Sequence, residues 1–90
     1  MKVNRSTAFK KDYKLAKRQQ QDLKTLTDVI QKLVKKEKLP AKLRDHKLSG
    51  SLKKYRELHL KSDWLLIYRI DKNNNELKLA RLGSHSELYE

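Results

Sequence analysis

The sequence predicts an α+β fold in which two N-terminal helices pack on one face of a small antiparallel sheet, in the order β-α-α-β-β-β. Three observations lead there. Apolar residues recur at helical spacing through the first part of the chain. They alternate with a period of two from about residue 54 onward, and Pro40 stands between the two regimes. At 90 residues one domain spanning 1–90 is expected, with a core that removes only roughly two-thirds of the unfolded chain's surface from water.

Residues 2–5 form a short extended candidate, and Ser6-Thr7 suits a helix N-terminus. Phe9, Tyr13 and Ala16 then mark one face of a first helix, with Lys10, Lys11, Lys14, Lys17 and Arg18 on the rest of its surface. Asp22 is a second cap. Leu23, Leu26, Val29, Ile30, Leu33 and Val34 give a stripe that predicts a helix over 23–36, which Pro40 keeps from continuing. Residues 41–51 read as irregular, with Gly50 their one glycine. Strands are expected over 54–60, 64–70 and 76–82, rich in aromatic and apolar residues and joined by hairpin-length connectors at 61–63 and 71–75. Residues 83–90 form a flank without strand pattern.

Charge narrows the partners. The chain holds 23 Lys or Arg against 11 Asp or Glu, a net +12, of which +8 falls in residues 1–40. A small domain needs a net charge of only about 2 to 8 for solubility, so a polyanion is the expected partner: nucleic acid first, an acidic protein second. A membrane surface would require a basic helix with aromatic anchors, and only Phe9 and Tyr13 approach that description. Without cysteine there is no disulfide framework, thiolate metal site or Cys nucleophile. No apolar run reads as a spanning helix or a signal peptide, so a soluble intracellular protein is expected.

The hairpins bring distant residues together, because residues equidistant from a turn face one another in an antiparallel meander. His59 should lie across from Trp64 or Leu65, Arg81 across from Leu65 or Leu66, and His85 beside Ser62 and Asp63. His59, Asp63, Trp64, Arg81 and His85 thus gather at one end of the sheet. His46 is not placed there by this geometry unless its loop folds back along the sheet.

These residue types suit RNA cleavage by attack of a 2′-hydroxyl on the adjacent phosphorus. A base takes the 2′-proton, an acid protonates the leaving 5′-oxygen, and a cation stabilises charge on the phosphoryl oxygens. Imidazoles supply either proton service near neutral pH, Arg fits a phosphate bidentately, and Trp64 or Tyr89 could stack a base. No metal or other cofactor is called for. A His-His-Asp zinc site is the other chemical reading, but the spacings match no short local metal motif. Trp64 at the head of an apolar strand also reads as core, and Asp63 as a plain turn residue.

The runs Asp45-His46-Lys47-Leu48-Ser49-Gly50, Tyr55-Arg56-Glu57-Leu58-His59, Asp63-Trp64-Leu65-Leu66-Ile67-Tyr68 and Arg81-Leu82-Gly83-Ser84-His85-Ser86-Glu87-Leu88-Tyr89 resemble the YafQ-type branch of the RelE/ParE toxins. The resemblance implies the bacterial, cytoplasmic toxin of a type II toxin-antitoxin system. Such a toxin is a ribosome-dependent endoribonuclease (mRNA interferase) that inhibits translation. It is neutralised by a cognate acidic antitoxin and meets operator DNA only through the antitoxin complex. His46, His59, Asp63, Arg81 and His85 match the family's active-site positions, with His85 the general acid, Arg81 the phosphate ligand, and the base open among His46, His59 and Asp63. Tyr89 falls where the family usually has Phe. Lys10, Lys11, Lys14, Lys17 and Arg18 would then contact ribosomal RNA phosphates, which position a protein without reading sequence. Two alternatives remain: a ParE-like poison of DNA gyrase, and a non-catalytic RNA- or ribosome-binding module.

Overall fold

The computed structural model describes residues 1–89; Glu90, the last residue of the C-terminal flank, lies outside them. The elements are β1 (Lys2–Arg5), α1 (Thr7–Arg18), α2 (Leu23–Val34), β2 (His46–Lys47), β3 (Arg56–Lys61), β4 (Trp64–Asp71), β5 (Glu76–Gly83) and α3 (His85–Tyr89). The strands form one sheet in the order β1-β5-β4-β3-β2. Every pairing is antiparallel except β1 with β5, which is parallel, so the sheet is mixed rather than wholly antiparallel. β1 reaches β5 after the chain has passed through both helices, which accounts for the parallel sense.

Each helix begins where a short polar side chain satisfies a free backbone N–H. The Ser6 hydroxyl accepts from Phe9 N at 2.9 Å, and the Asp22 carboxylate accepts from Thr25 N at 3.1 Å. Both helices end without glycine: Gln20 and Lys36 take positive φ, while Gln21 and Glu37 donate back to Ala16 O and Lys32 O. The left-handed residue therefore stops α2 two residues short of the expected Lys36, although the apolar stripe itself continues to Val34.

Phe9 and Ala16 of α1 and Leu26, Val29 and Leu33 of α2 form one core with Leu58, Leu66, Tyr68, Leu77 and Leu79 of the sheet. Both helices thus cover the same sheet face. Burying a Leu or Phe fully contributes about 1.5–3 kcal/mol, so this face carries most of the stability.

Three features depart from the sequence reading. The stretch 41–51 is not irregular throughout: Pro40 leads a 3-10 turn (Ala41–Leu43), Arg44 turns the chain at φ 49°, and β2 then pairs with β3. The strand expected from 54 begins at Arg56, because Gly50–Leu52 forms a second 3-10 turn and the Tyr55 N–H donates to Leu52 O. The flank after β5 contains α3. Its start has a reciprocal cap, with Glu87 N donating to the Ser84 hydroxyl and Ser84 N to the Glu87 carboxylate, at 3.2 and 2.8 Å. A Cβ at Gly83 would sit 3.0 Å from Glu87 Oε1, so a larger residue there would press on the side chain that caps α3.

Candidate active site

β3, β4 and β5 expose a second face, opposite the helices. His59 pairs with Leu65, as the hairpin geometry predicts. Arg81 pairs with Ile67 instead of Leu65 or Leu66. The second turn is centred as expected, but the register slips between Ile67 and Tyr68, leaving Ala80 as an extra residue on β5. The result is a straight rank across four strands: His46, Glu57, Ile67 and Arg81. His59, Leu65 and Gly83 form the next rank toward α3.

His46 joins this face because its loop does fold back. The carboxylate of the preceding residue, Asp45, accepts from Arg56 Nε and Nη2 at 3.1 and 2.9 Å and from the Tyr68 hydroxyl. Tyr68 is buried, and that burial, then the Asp45 contact, raises its pKa above the ordinary phenol value. A charged clamp on the helix side of the sheet thus fixes β2 and carries His46 to the opposite side.

The three imidazoles line up. Ring centroids are 6.3 Å apart for His46 and His59 and 5.9 Å for His59 and His85. Glu57, 5% exposed, lies beneath them, with Oε1 3.8 Å from His46 Nε2 and 3.6 Å from His59 Nε2, while the Tyr89 hydroxyl donates to Oε2. Burial first, and then the Glu57 contact, pushes the Tyr89 hydroxyl up to about 12.

The hydrogen bonds assign tautomers. A carbonyl only accepts, so His46 Nδ1, 2.8 Å from Arg44 O, carries a proton. A guanidinium only donates, so His59 Nδ1, 3.0 Å from Arg44 Nη2, is unprotonated and its ring proton sits on Nε2 toward Glu57. His85 Nδ1 lies 3.1 Å from Asp63 Oδ1, which also accepts the His85 backbone N–H at 3.1 Å. These two bonds, the backbone one first, hold the Asp63 carboxyl below its usual range. His85 Nε2 is left facing outward from a half-exposed ring.

Arg81 is itself held from behind. Its Nε and Nη2 donate to Asp12 of α1 at 2.7 and 3.2 Å, and Asp12 also accepts the Leu82 N–H at 2.9 Å on the edge of β5 that β1 no longer covers. The Asp12 bonds raise the Arg81 pKa above its ordinary value.

Trp64 does not belong to the site. It is 2% exposed within the helix-side core and offers no ring face to a base. It begins β4, and its side chain turns to the packed side. Tyr89 is 46% exposed and keeps a ring face open. Lys10, Lys11, Lys14, Lys17 and Arg18 are all exposed on α1, which meets the site through Asp12 and through Gln19, 3.4 Å from Glu87 of α3.

Sequence reasoning missed Glu57, Arg44 and Asp12. Glu57 was signalled by its position two residues before His59 on one strand, which puts both on one face. Asp12 is the single acid of α1. Nothing local marks Arg44.

Imidazoles, a buried carboxylate and a guanidinium on an open face, under a charge of +12, define a small basic protein equipped for phosphodiester chemistry. The family described as bacterial toxin of type II toxin-antitoxin system, YafQ, matches residues 1–90, and the chain belongs to it. The mRNA interferase toxin YafQ of Escherichia coli K12 is 35% identical over 88 residues, covering 97% of this chain and 94% of its own. A metal-bound toxin from Helicobacter pylori superposes with a TM-score of 0.94 at 46% identity, covering 99% of each chain. YafQ in the E. coli DinJ-YafQ toxin-antitoxin complex gives a TM-score of 0.88 at 35% identity, covering 98% of this chain and 96% of that one. Among the described residues no three His, Asp or Glu side chains are grouped to hold a metal ion. Membership in the YafQ family sets aside the ParE-like reading.

Proposed function

We propose that this chain is an endoribonuclease that cuts mRNA on the ribosome by attack of a 2′-hydroxyl on the neighbouring phosphorus. The observation that carries the reading is His85: Nδ1 tied to Asp63 and Nε2 open, on the same face as His46 and Arg81. His85 acts as the imidazolium: Asp63 holds its Nδ1–H, the Nε2–H is donated to the leaving 5′-oxygen, and the neutral ring is left behind. Arg81, oriented by Asp12, meets the phosphoryl oxygens. General acid-base help of this kind is worth about 10²–10⁴ in rate.

His46 takes the 2′-proton. Its Nδ1 proton is bound to a backbone carbonyl, so in the neutral ring the lone pair is on Nε2, and Glu57 beside it stabilises the imidazolium that forms. His59 is less suited, since Arg44 occupies its free lone pair and its side chain is only 10% exposed. Asp63 is engaged with His85. His59 and Asp63 thus position their neighbours, and the Tyr89 ring is held for stacking.

The partners follow from charge. The exposed cations of α1 meet ribosomal RNA phosphates, and an acidic antitoxin, which orders on binding, neutralises the protein and carries it to operator DNA. E. coli YafQ is found in a toxin-antitoxin complex with DinJ. No helix among the described residues is long and apolar enough to cross a membrane, and the proposed site of action is the cytoplasm.

The test compares wild type and His85→Ala on translating ribosomes. Wild type is expected to cut mRNA, leaving cyclic phosphate ends, and the variant to lose about 10²–10⁴ in rate. Retained cutting removes His85 from the acid role. Ribosome binding by wild type without any cutting establishes the non-catalytic module instead.

A further inference from the structure

Arg44 touches both histidines that flank Glu57, with a different atom for each. Its backbone carbonyl lies 2.8 Å from His46 Nδ1, and its Nη2 lies 3.0 Å from His59 Nδ1. The two rings turn their other nitrogens to Glu57 Oε1, at 3.8 Å for His46 Nε2 and 3.6 Å for His59 Nε2. The contacts thus close a circuit. It leaves Arg44 by the guanidinium, passes through His59, Glu57 and His46, and returns to Arg44 by the carbonyl.

This pairing is unusual for an arginine. Among the described residues no carboxylate lies within ion-pair distance of its guanidinium, although Asp45 is the next residue; that acid is bound to Arg56 instead. The backbone is equally particular. Arg44 takes φ 49° and ψ 42° after the 3-10 turn Ala41–Leu43, with its N–H on Ala41 O at 3.0 Å. A left-handed position asks for glycine or asparagine. What arginine adds is the reach of its side chain to a ring 15 positions away.

We propose that Arg44 is a positioning residue of the cutting reaction: its carbonyl and its guanidinium together fix the rotation and ring proton of His46 and His59, and so hold Glu57 beside the base. The inference rests on the nuclease reading and deepens it. Both Glu57 distances exceed hydrogen-bond length, so the carboxylate alone does not decide how the rings are turned. The two contacts to Arg44 are within that length and do decide it. Without the guanidinium, His59 is free to present either nitrogen to Glu57. A bare nitrogen there sets a lone pair against the carboxylate and drives the two apart. His46 receives the 2′-proton at Nε2, the atom that faces Glu57, so a displaced Glu57 is felt at the transfer itself.

Two variants divide the circuit. Arg44→Gly suits the left-handed turn, keeps the carbonyl and removes the guanidinium, while Arg44→Lys retains a donor; circular dichroism confirms that each folds. Ring nitrogen NMR at about pH 8.5, where an ordinary imidazole is neutral, should show wild-type His46 protonated at Nδ1 and His59 at Nε2. In Arg44→Gly the His46 pattern should persist and the two His59 nitrogens should average. Arg44→Lys should restore the wild-type His59 pattern. A His59 ring indifferent to Arg44→Gly overturns the proposal.

Kinetics separate positioning from contact with RNA. Arg44 and His59 also line an open hollow with Lys42 and Lys61, where a phosphate is the rival partner for the guanidinium. On translating ribosomes with protein in excess, Arg44→Gly should lower the saturated rate about 10- to 100-fold and keep the half-saturating concentration within about threefold, with Arg44→Lys regaining most of the rate. Because Arg44 acts through His59, adding Arg44→Gly to His59→Ala should cost nothing further. Losses that multiply, or a raised half-saturating concentration at an unchanged saturated rate, assign Arg44 to the RNA and overturn the proposal. If wild type cuts nothing, the nuclease reading fails and this role falls with it. If wild type cuts and Arg44→Gly cuts equally well, only the role of Arg44 fails.

Discussion

On β4, Leu66 and Tyr68 turn to the helices, while Leu65 and Ile67, one residue away, turn to the histidines. All four are buried. On the helix side the neighbours are Phe9, Leu26, Leu77 and Leu79, apolar groups that interlock and tolerate little change of volume. On the other side the neighbours are His59, Glu57 and Arg81, each fixed by one or two polar contacts: Arg44 for His59, Tyr89 for Glu57, Asp12 for Arg81. One strand thus serves two purposes through its alternation. A lost side chain on the first face costs folding, and on the second it costs geometry.

The largest contrast is expected from His85→Ala. Cutting should drop about 10²–10⁴-fold, while the stability change stays within about 0.5 kcal/mol, because the ring is half-exposed and the backbone N–H of residue 85 keeps its bond to Asp63. Denaturant unfolding beside an activity assay separates the two quantities, and a large loss of stability would erase the distinction between the faces. Leu66→Ala should behave in the opposite way, destabilising by about 2–5 kcal/mol as a core cavity opens. The fraction that remains folded should still cut.

Asp45→Ala falls between these extremes, since Asp45 is bound on the helix side and carries His46 on the other. The variant leaves Arg56 and the buried Tyr68 hydroxyl without their acceptor, costing about 1–3 kcal/mol, and it frees β2. His46 ring signals should broaden or shift while those of His85 stay in place. Equal disturbance of both rings would mean that the clamp supports the whole sheet.

The smallest effect concerns pH. The Asp63 carboxyl lies below its ordinary value in the folded chain, so its contribution is complete above that ordinary value and lost as pH falls through the depressed one. The Asp63 side-chain carboxyl carbon signal should therefore titrate below the ordinary carboxylate range. A carboxyl titration at or above the ordinary value would show that Asp63 does not hold α3.

These two faces were unequally legible in the sequence. The apolar stripe of α2 and the alternation of β4 come from strictly local periodicity, and both elements lie where those patterns put them. The gathering of His59, Asp63 and His85 followed from turn positions alone. The bulge at Ala80 could not be read, since an extra residue leaves no local mark, yet it decides that Arg81 faces Ile67. β2 has two residues, too few for any period, and depends on Asp45 meeting Arg56 and Tyr68 across 11 and 23 positions of chain. Residues 84–87 are different: Ser-His-Ser-Glu carries a cap pattern, yet the sequence reading keeps 83–90 as a flank and places no helix there.

The proton that His85 delivers to the leaving oxygen can be isolated chemically. An mRNA with a single 5′-bridging sulfur at the cut site has a leaving group that departs without protonation. On translating ribosomes, His85→Ala should cut this substrate nearly as fast as wild type while remaining slow on the normal one, whereas His46→Ala should be slow on both. If the sulfur substrate leaves His85→Ala as slow as before, His85 is not the general acid.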